Sequence, residues 1–362
     1  MDDRSKPTVR NTLGRRDFLR QGTISLAATI AGLTASKSFA DAGKIIRPGA
    51  VPTLTGDVNP EGLGTTLMHE HVLFGNIPSN LREASVEIAV ALLNDAAAAG
   101  VQTLVDVTPW RDIALYQEIA ARTTVQIIAS TGYYVREKMP EHLRNMTELQ
   151  MEERMFKDVT EGIDNTRIRA GIIKIAANSI SLNDFEMKVF RAAIRVQKAT
   201  RVPIGTHAWT GVREQFDFLL KNGADMNHIN FSHIETKPGW VGKSRTQIAE
   251  MFLPMVQEGS YLLFNNFSCE FYTPWEDMVF LIRYFCDKGY ADRIMISEDC
   301  NWEWKYGKQV FEAEEEHPEA AKRTYAYMLT HEVPMMLESG FTRDEIDTFL
   351  VTNPRNYFTL VR

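Results

Sequence analysis

The chain has 362 residues, 44% of them hydrophobic, enough for one large buried core. Its formal net charge of −7 argues against a nucleic-acid binder that relies on a broadly basic surface. Cys269, Cys286 and Cys300 have no C-x-x-C spacing and suggest neither a zinc ribbon nor a disulfide scaffold, and the chain shows no internal repeat.

Residues 1–40 read as an export signal, separate from the fold. Arg15-Arg16-Asp17-Phe18-Leu19-Arg20 resembles the twin-arginine motif. A mildly apolar stretch, Ile24 to Ala35, follows, and Ser38-Phe39-Ala40 offers small residues where a signal peptidase cuts. Lys37 disfavours the ordinary Sec route. The apolar run is too short, and too rich in Ala, Gly and Thr, for a stable membrane span. The expectation is a periplasmic protein, delivered already folded and metal-loaded by the twin-arginine export machinery. Without residues 1–40 the chain keeps 33 basic and 44 acidic residues, a net charge of −11.

The expected folded domain is 41–362, in which strand-like and helix-like runs alternate from residue 64. The first strand lies near Thr65–His69, followed by a helix over Ser85–Ala99 that stops at Gly100, a favoured left-handed C-terminal position. Strands at Thr103–Val107 and Val125–Ala129 flank a helix near Ile113–Ala121. Tyr133 to Asn145 reads as a loop and Thr147–Gly162 as a helix, leading to the fourth strand around Lys174. Helices at Phe185–Lys198, Arg213–Asn222, Thr246–Glu258 and Asp277–Lys288 then alternate with strands ending at His207, at His233, at Phe264 and at Ser297. Ala320–Leu337 and Arg343–Leu350 read as closing helices. Eight such alternations predict an α/β fold, a (β/α)8 TIM barrel. A doubly wound sheet is disfavoured by the lack of any G-x-G-x-x-G or P-loop.

The chemistry sits at the strand ends. In Thr66-Leu67-Met68-His69-Glu70-His71 the two histidines are spaced to share one face, a two-imidazole claw suited to a zinc-type ion. Lys174 interrupts the apolar run Ile172-Ile173-Lys174-Ile175, where a charged amine is costly to bury. His207, His233 and Asp299 each end or follow a separate apolar run. Such residues meet at one point only if the sheet closes into a barrel, whose C-terminal mouth carries the active site. His142, His228, His317 and His331 lie in loop or helical context and carry no expected role.

From about residue 50 to the C-terminus the chain resembles the phosphotriesterase family of the amidohydrolase superfamily, including its phosphotriesterase-like lactonases. The resemblance rests on Thr66–His71, on Arg167-Ile168-Arg169-Ala170-Gly171-Ile172-Ile173-Lys174, on Val202–His207, and on Ser232-His233, Ile296-Ser297-Glu298-Asp299 and Thr352-Asn353-Pro354. It implies two divalent metal ions, with zinc expected. His69, His71 and Asp299 would hold the more buried ion, and His207 and His233 the more exposed one. A carboxylated Lys174 would bridge both, beside a bridging hydroxide. It implies a metal-dependent hydrolase in which that hydroxide attacks a C=O or P=O group and Asp299 receives the proton.

Substrate choice is expected in the loops after barrel strands three, seven and eight. Tyr134 falls where the resemblance places an aromatic residue beside the metals, Tyr in lactonases and Trp in phosphotriesterases. Lactonase-type members carry an Asp-Arg pair after strand seven; this chain has Asn265-Asn266. The loop after His233 is also altered, to Ile234-Glu235-Thr236-Lys237-Pro238-Gly239-Trp240. Trp110, Tyr134, Asn266 and Trp302 are the expected pocket residues, with Tyr133, Trp209, Phe267, Phe271 and Trp304 as further aromatic candidates. The expected substrate is a neutral, bulky small molecule, a lactone or carboxylic ester; phosphotriester and amide hydrolysis are the alternatives. A binding protein that had lost catalysis should lack a ligand, and none is missing. Lys174 argues against a deaminase. A homodimer is the assembly allowed for.

Overall fold

A computed structural model of the chain describes residues 49–359, apart from Asn76, Ser179, Val241 and Ser268. The expected export segment and the first eight residues of the expected barrel domain lie outside these. Among the described residues no helix is long and apolar enough to cross a membrane.

The chain opens with an antiparallel hairpin, β1 (Val51–Thr53) and β2 (Gly56–Val58). Eight parallel strands follow: β3 (Thr66–Glu70), β4 (Thr103–Asp106), β5 (Gln126–Gly132), β6 (Ile172–Lys174), β7 (Ile204–Gly205), β8 (Ile229–Ser232), β9 (Tyr261–Phe264) and β10 (Ile294–Ile296). They pair in chain order from β3 to β10 and carry helices between them, giving the expected (β/α)8 TIM barrel. Alternation sorts the side chains. Met68, Val105, Ile128, Ile172, Leu263 and Met295 form a separate inner cluster, while Leu67, Leu104, Ile127, Ile173, Phe231 and Leu262 pack in the larger core that includes the helices. Each such side chain contributes roughly 1.5–3 kcal/mol by leaving water.

Several helices begin where side chains satisfy the free N–H groups of their first turns. Thr147 with Gln150, Asn183 with Glu186 and Ser244 with Gln247 form reciprocal capping boxes, and Asp112 caps the helix Ile113–Ala120. The first barrel helix, Arg82–Ala99, stops at left-handed Gly100 as expected, but starts three residues earlier than expected.

The C-terminal third departs from expectation. Ala320–Leu337 is not one helix: a 3-10 turn over Pro318–Lys322 is separated from a π-turn, Met328–Glu332, that runs into the helix Val333–Glu338. The break lets Arg323 turn inward, where its guanidinium donates to the carbonyl oxygens of Glu298 and Asp299. A second hairpin, β11 (Trp302–Lys305) and β12 (Lys308–Phe311), follows the last barrel strand and was not expected. Its turn residues Tyr306 and Gly307 both have positive φ, 52° and 73°, the twist that suits a two-residue hairpin turn.

Among the described residues, the end strands β3 and β10 do not pair by a ladder. Between the end strands β3 and β10, His69 N–H donates to Ser297 Oγ at 2.9 Å and Asp299 N–H to His69 O at 3.1 Å. Close approach matters again at Gly132, which ends β5 at φ +115°; a Cβ there would lie 2.0 Å from Lys174 O. Tyr133 N–H donates to that same oxygen at 2.9 Å. Gly132→Ala is expected to cost about 2–4 kcal/mol and to displace Lys174. Urea unfolding checks this; wild-type stability would mean that β5 and β6 separate without penalty.

Candidate metal centre and active site

Six buried side chains meet at the mouth: His69, His71, Lys174, His207, His233 and Asp299. A local irregularity helps aim the first. Met68 lies in the inner cluster, so strict alternation would turn His69 outward. The β3–β4 register shifts between Leu67 and Glu70, a bulge that returns His69 to the inside. Its Nε2 then lies 3.1 Å from Lys174 Nζ. His71 follows the strand; its Nδ1 meets Thr108 Oγ1 at 2.7 Å, leaving Nε2 to face Asp299 Oδ1 at 3.4 Å. The His207 and His233 rings stand edge to face at 4.3 Å, and His233 Nε2 lies 3.8 Å from Asp299 Oδ2.

Two of these residues hold strained backbone. His233 has φ 62° and Asp299 has φ 54°, left-handed values that cost a residue with a Cβ about 1–2 kcal/mol. Such strain persists where the surroundings over-determine it, and buried polar groups do so here. The N–H of His233 donates to Asn265 Oδ1 at 3.0 Å. The N–H groups of Asn265 and Asn266 donate to Glu235 Oε1 at 2.8 and 2.7 Å. Glu70 holds the residues around Asp299 in the same manner. Glu70, Glu235 and Arg323 had no expected role; only the altered sequence of the loop after His233 hinted at Glu235.

The electrostatics favour electron-pair donation. Burial pushes His233 down to about 4, and His69 and His207 well below the ordinary imidazole value, so these rings are neutral near pH 7. Burial also lowers Lys174 to about 7. For Asp299 burial works upward, but the neighbouring His71, His233 and Arg323 outweigh it and hold the carboxyl below its usual range. Neither ring nitrogen of His233 has a hydrogen-bond partner among the described residues. Donor atoms of His69, His233 and Asp299 all lie within 4.8 Å of one another. Neutral imidazoles, an ionised carboxylate and unpartnered buried nitrogens fit a bound divalent cation.

Around this cluster runs an aromatic wall. Tyr134 OH sits 3.3 Å from His207 Nε2. Trp110 lies 6.3 Å from Tyr134, ring to ring, and also lines a side cavity of about 660 Å³ with Arg111, Tyr116 and Arg154. Trp209 and Tyr272 meet edge to face at 4.9 Å on the other side, and Trp209 lines a cavity of about 200 Å³ that reaches His233. The remaining expected pocket residues sit deeper. Asn266 is buried and donates to Thr236 Oγ1 at 2.6 Å. Trp302 is 1% exposed, packed in the main core beside Trp304. Tyr133 and Phe267 are core residues too.

Glu235 yields a pH test. Its carboxyl is fully buried, Oε2 lacks a partner among the described residues, and burial pushes the group up to about 7. A raised folded-state value stabilises the fold below the unfolded value of 4.5, and that contribution is lost as pH rises through about 7. Glu235→Gln should therefore gain stability relative to wild type, by up to about 3 kcal/mol between those pH values and level above them. Denaturation of the metal-free proteins across this range checks it; a pH-independent difference would place the proton elsewhere.

A model of the Phosphotriesterase family matches residues 49–358. A phosphotriesterase homology protein of Mycobacterium tuberculosis is 29% identical over 333 residues, covering 84% of this chain and 96% of its own. An N-acetyltaurine hydrolase of Xenopus tropicalis is 26% identical, covering 86% and 98%. Among solved structures, a mutant of a phosphotriesterase-like lactonase from Deinococcus radiodurans superposes with a TM-score of 0.74 at 28% identity, covering 85% of this chain and 99% of its own. The chain belongs to the phosphotriesterase family of metal-dependent hydrolases.

Proposed function

We propose that the protein hydrolyses a lactone or carboxylic ester with two divalent ions, zinc expected, held by His69, His71, His207, His233, Asp299 and a carboxylated Lys174. The observation that carries this reading is the lysine. Its amine is buried beside His69 and lowered to about 7, so near neutral pH a large share is uncharged and able to add CO2. The amine nitrogen bonds the carbon of CO2 and gives up a proton to solvent, so the resulting carbamate offers one negative charge shared over two oxygens in place of a cation-repelling ammonium. Bound at these residues, divalent ions supply Lewis acidity, which acidifies water and polarises the scissile group.

The side chains do the rest. Asp299 is ionised at neutral pH, accepts the proton that water gives up on attacking the carbonyl carbon, and passes it to the departing oxygen. Burial keeps the Tyr134 phenol protonated, so its hydroxyl is available to donate to the oxygen on which charge develops. The wall of Trp110 and Tyr134 suits an apolar group. Asn266 brings no charge to the loop after β9, which favours a neutral substrate. Amide hydrolysis is the second reading, favoured by the relatives named N-acetyltaurine hydrolase.

Elemental analysis of protein prepared without chelator should find about two divalent ions per chain, and Lys174→Ala should lose most of the metal and most of the activity. Full metal and full rate in that variant would make Lys174 structural. A panel of an aryl ester, a lactone, an N-acyl amide and a phosphotriester, each with a carboxylated analogue, addresses the substrate. The uncharged ester or lactone should give the highest kcat/KM. A tenfold preference for the amide, or for an anionic analogue, about 1.4 kcal/mol in transition-state binding, would overturn the substrate assignment.

A further inference from the structure

Glu70 lies between two of the expected ligands yet faces away from them. We propose that its carboxylate is the positioning residue that aims Asp299 into the metal centre. The inference rests on reading Asp299 as a metal ligand.

The contacts bracket Asp299 on both sides. Glu70 Oε1 accepts from Ser297 Oγ at 2.6 Å and from Glu298 N–H at 2.8 Å, and Oε2 accepts from Cys300 N–H at 2.7 Å. The two peptide N–H groups belong to the residues immediately before and after Asp299. Asp299 N–H is committed to His69 O, and His71 N–H donates to Cys300 O at 3.0 Å. The left-handed backbone at Asp299 is thus pinned from its two neighbours, and the pin hangs from the strand that carries His69 and His71. Three donor side chains are fixed to one another through Glu70, whose own side chain is fully buried.

The residue type follows from the donors. Two oxygens face three hydrogen-bond donors, which a carboxylate accepts with lone pairs to spare. A glutamine has one acceptor oxygen, and its NH2 would confront either Cys300 N–H or the pair from Ser297 and Glu298. Glu70→Gln keeps the volume and breaks part of the pin. Ser297→Ala removes the hydroxyl's bonds to Glu70 and to the main chain of His69, and leaves the carboxylate with Glu298 and Cys300.

The test uses the full chain stripped of metal with a chelator. Three quantities are measured: Zn2+ affinity by competition with a coloured chelator, the absorption bands of the Co2+-loaded protein, and the Tm of the stripped protein. Glu70→Gln should bind one of the ions about tenfold or more weakly and shift the cobalt bands, while the stripped protein still folds with a Tm lowered by only a few degrees. Ser297→Ala should move affinity and cobalt bands in the same direction by less. Wild-type affinity with unchanged cobalt bands in Glu70→Gln overturns the proposal, as does a fall in Tm alone. If Glu70→Gln does not fold, Glu70→Asp, which keeps the charge and shortens the reach to Glu298 and Cys300, decides by the same affinity and cobalt readouts. A wild-type chain that takes up no ion would instead overturn the ligand assignment itself, and this inference with it.

Discussion

The molecule depends on how its first and last barrel strands meet. β3 and β10 are the ends of the hydrogen-bonded sheet, and what joins them is a set of bonds from Ser297, Asp299 and Glu70. Elsewhere the barrel is held by main-chain ladders indifferent to residue type. At the seam, two main-chain bonds, Asp299 N–H to His69 O and His71 N–H to Cys300 O, are supplemented by side-chain bonds of Ser297 and Glu70, at the same place where His69, His71 and Asp299 are presented. Sealing the barrel and building the site are therefore one event, and a fault in either is felt in both.

Most of the site was legible in the sequence because its donors end short apolar strands, and strand ends on a closed parallel sheet share one rim. What sequence reading missed has a common cause. Glu70 finds its partners 227 to 230 positions away, Glu235 about 30, and Arg323 about 25. No local period encodes such pairings. Trp302 shows the opposite error: an aromatic just past a catalytic strand reads as a pocket wall, but the hairpin it begins folds the indole into the core. The long helix expected over Ala320–Leu337 is broken where Arg323 turns inward to two barrel-mouth carbonyls, a pull that helix-compatible residue types do not reveal.

Two of the buried glutamates, Glu70 and Glu235, divide the work around the mouth. Burial pushes Glu70 upward while its three donors pull it toward the ionised form, and Glu235 is raised with fewer partners. One joins the strands bearing His69, His71 and Asp299; the other joins the loops after His233 and β9. A carboxyl used in this way trades solvation for geometry, a cost borne where donors must stay in place without a regular ladder to hold them.

The β11–β12 hairpin begins three residues after Asp299, and Trp304 anchors it by donating to Ser85 Oγ at 2.7 Å. This limits how the protein can diverge. Loops over an active site are ordinarily the freest part of a barrel, open to insertion and exchange as substrates change. Here the stretch from Ser297 to Trp304 is fastened at both ends, first to the strand of the histidines and then to the opening helix. Lineages descending from this chain can vary the hairpin's exposed tip at Tyr306 and Gly307, but its root is bound to inherit the metal centre's geometry.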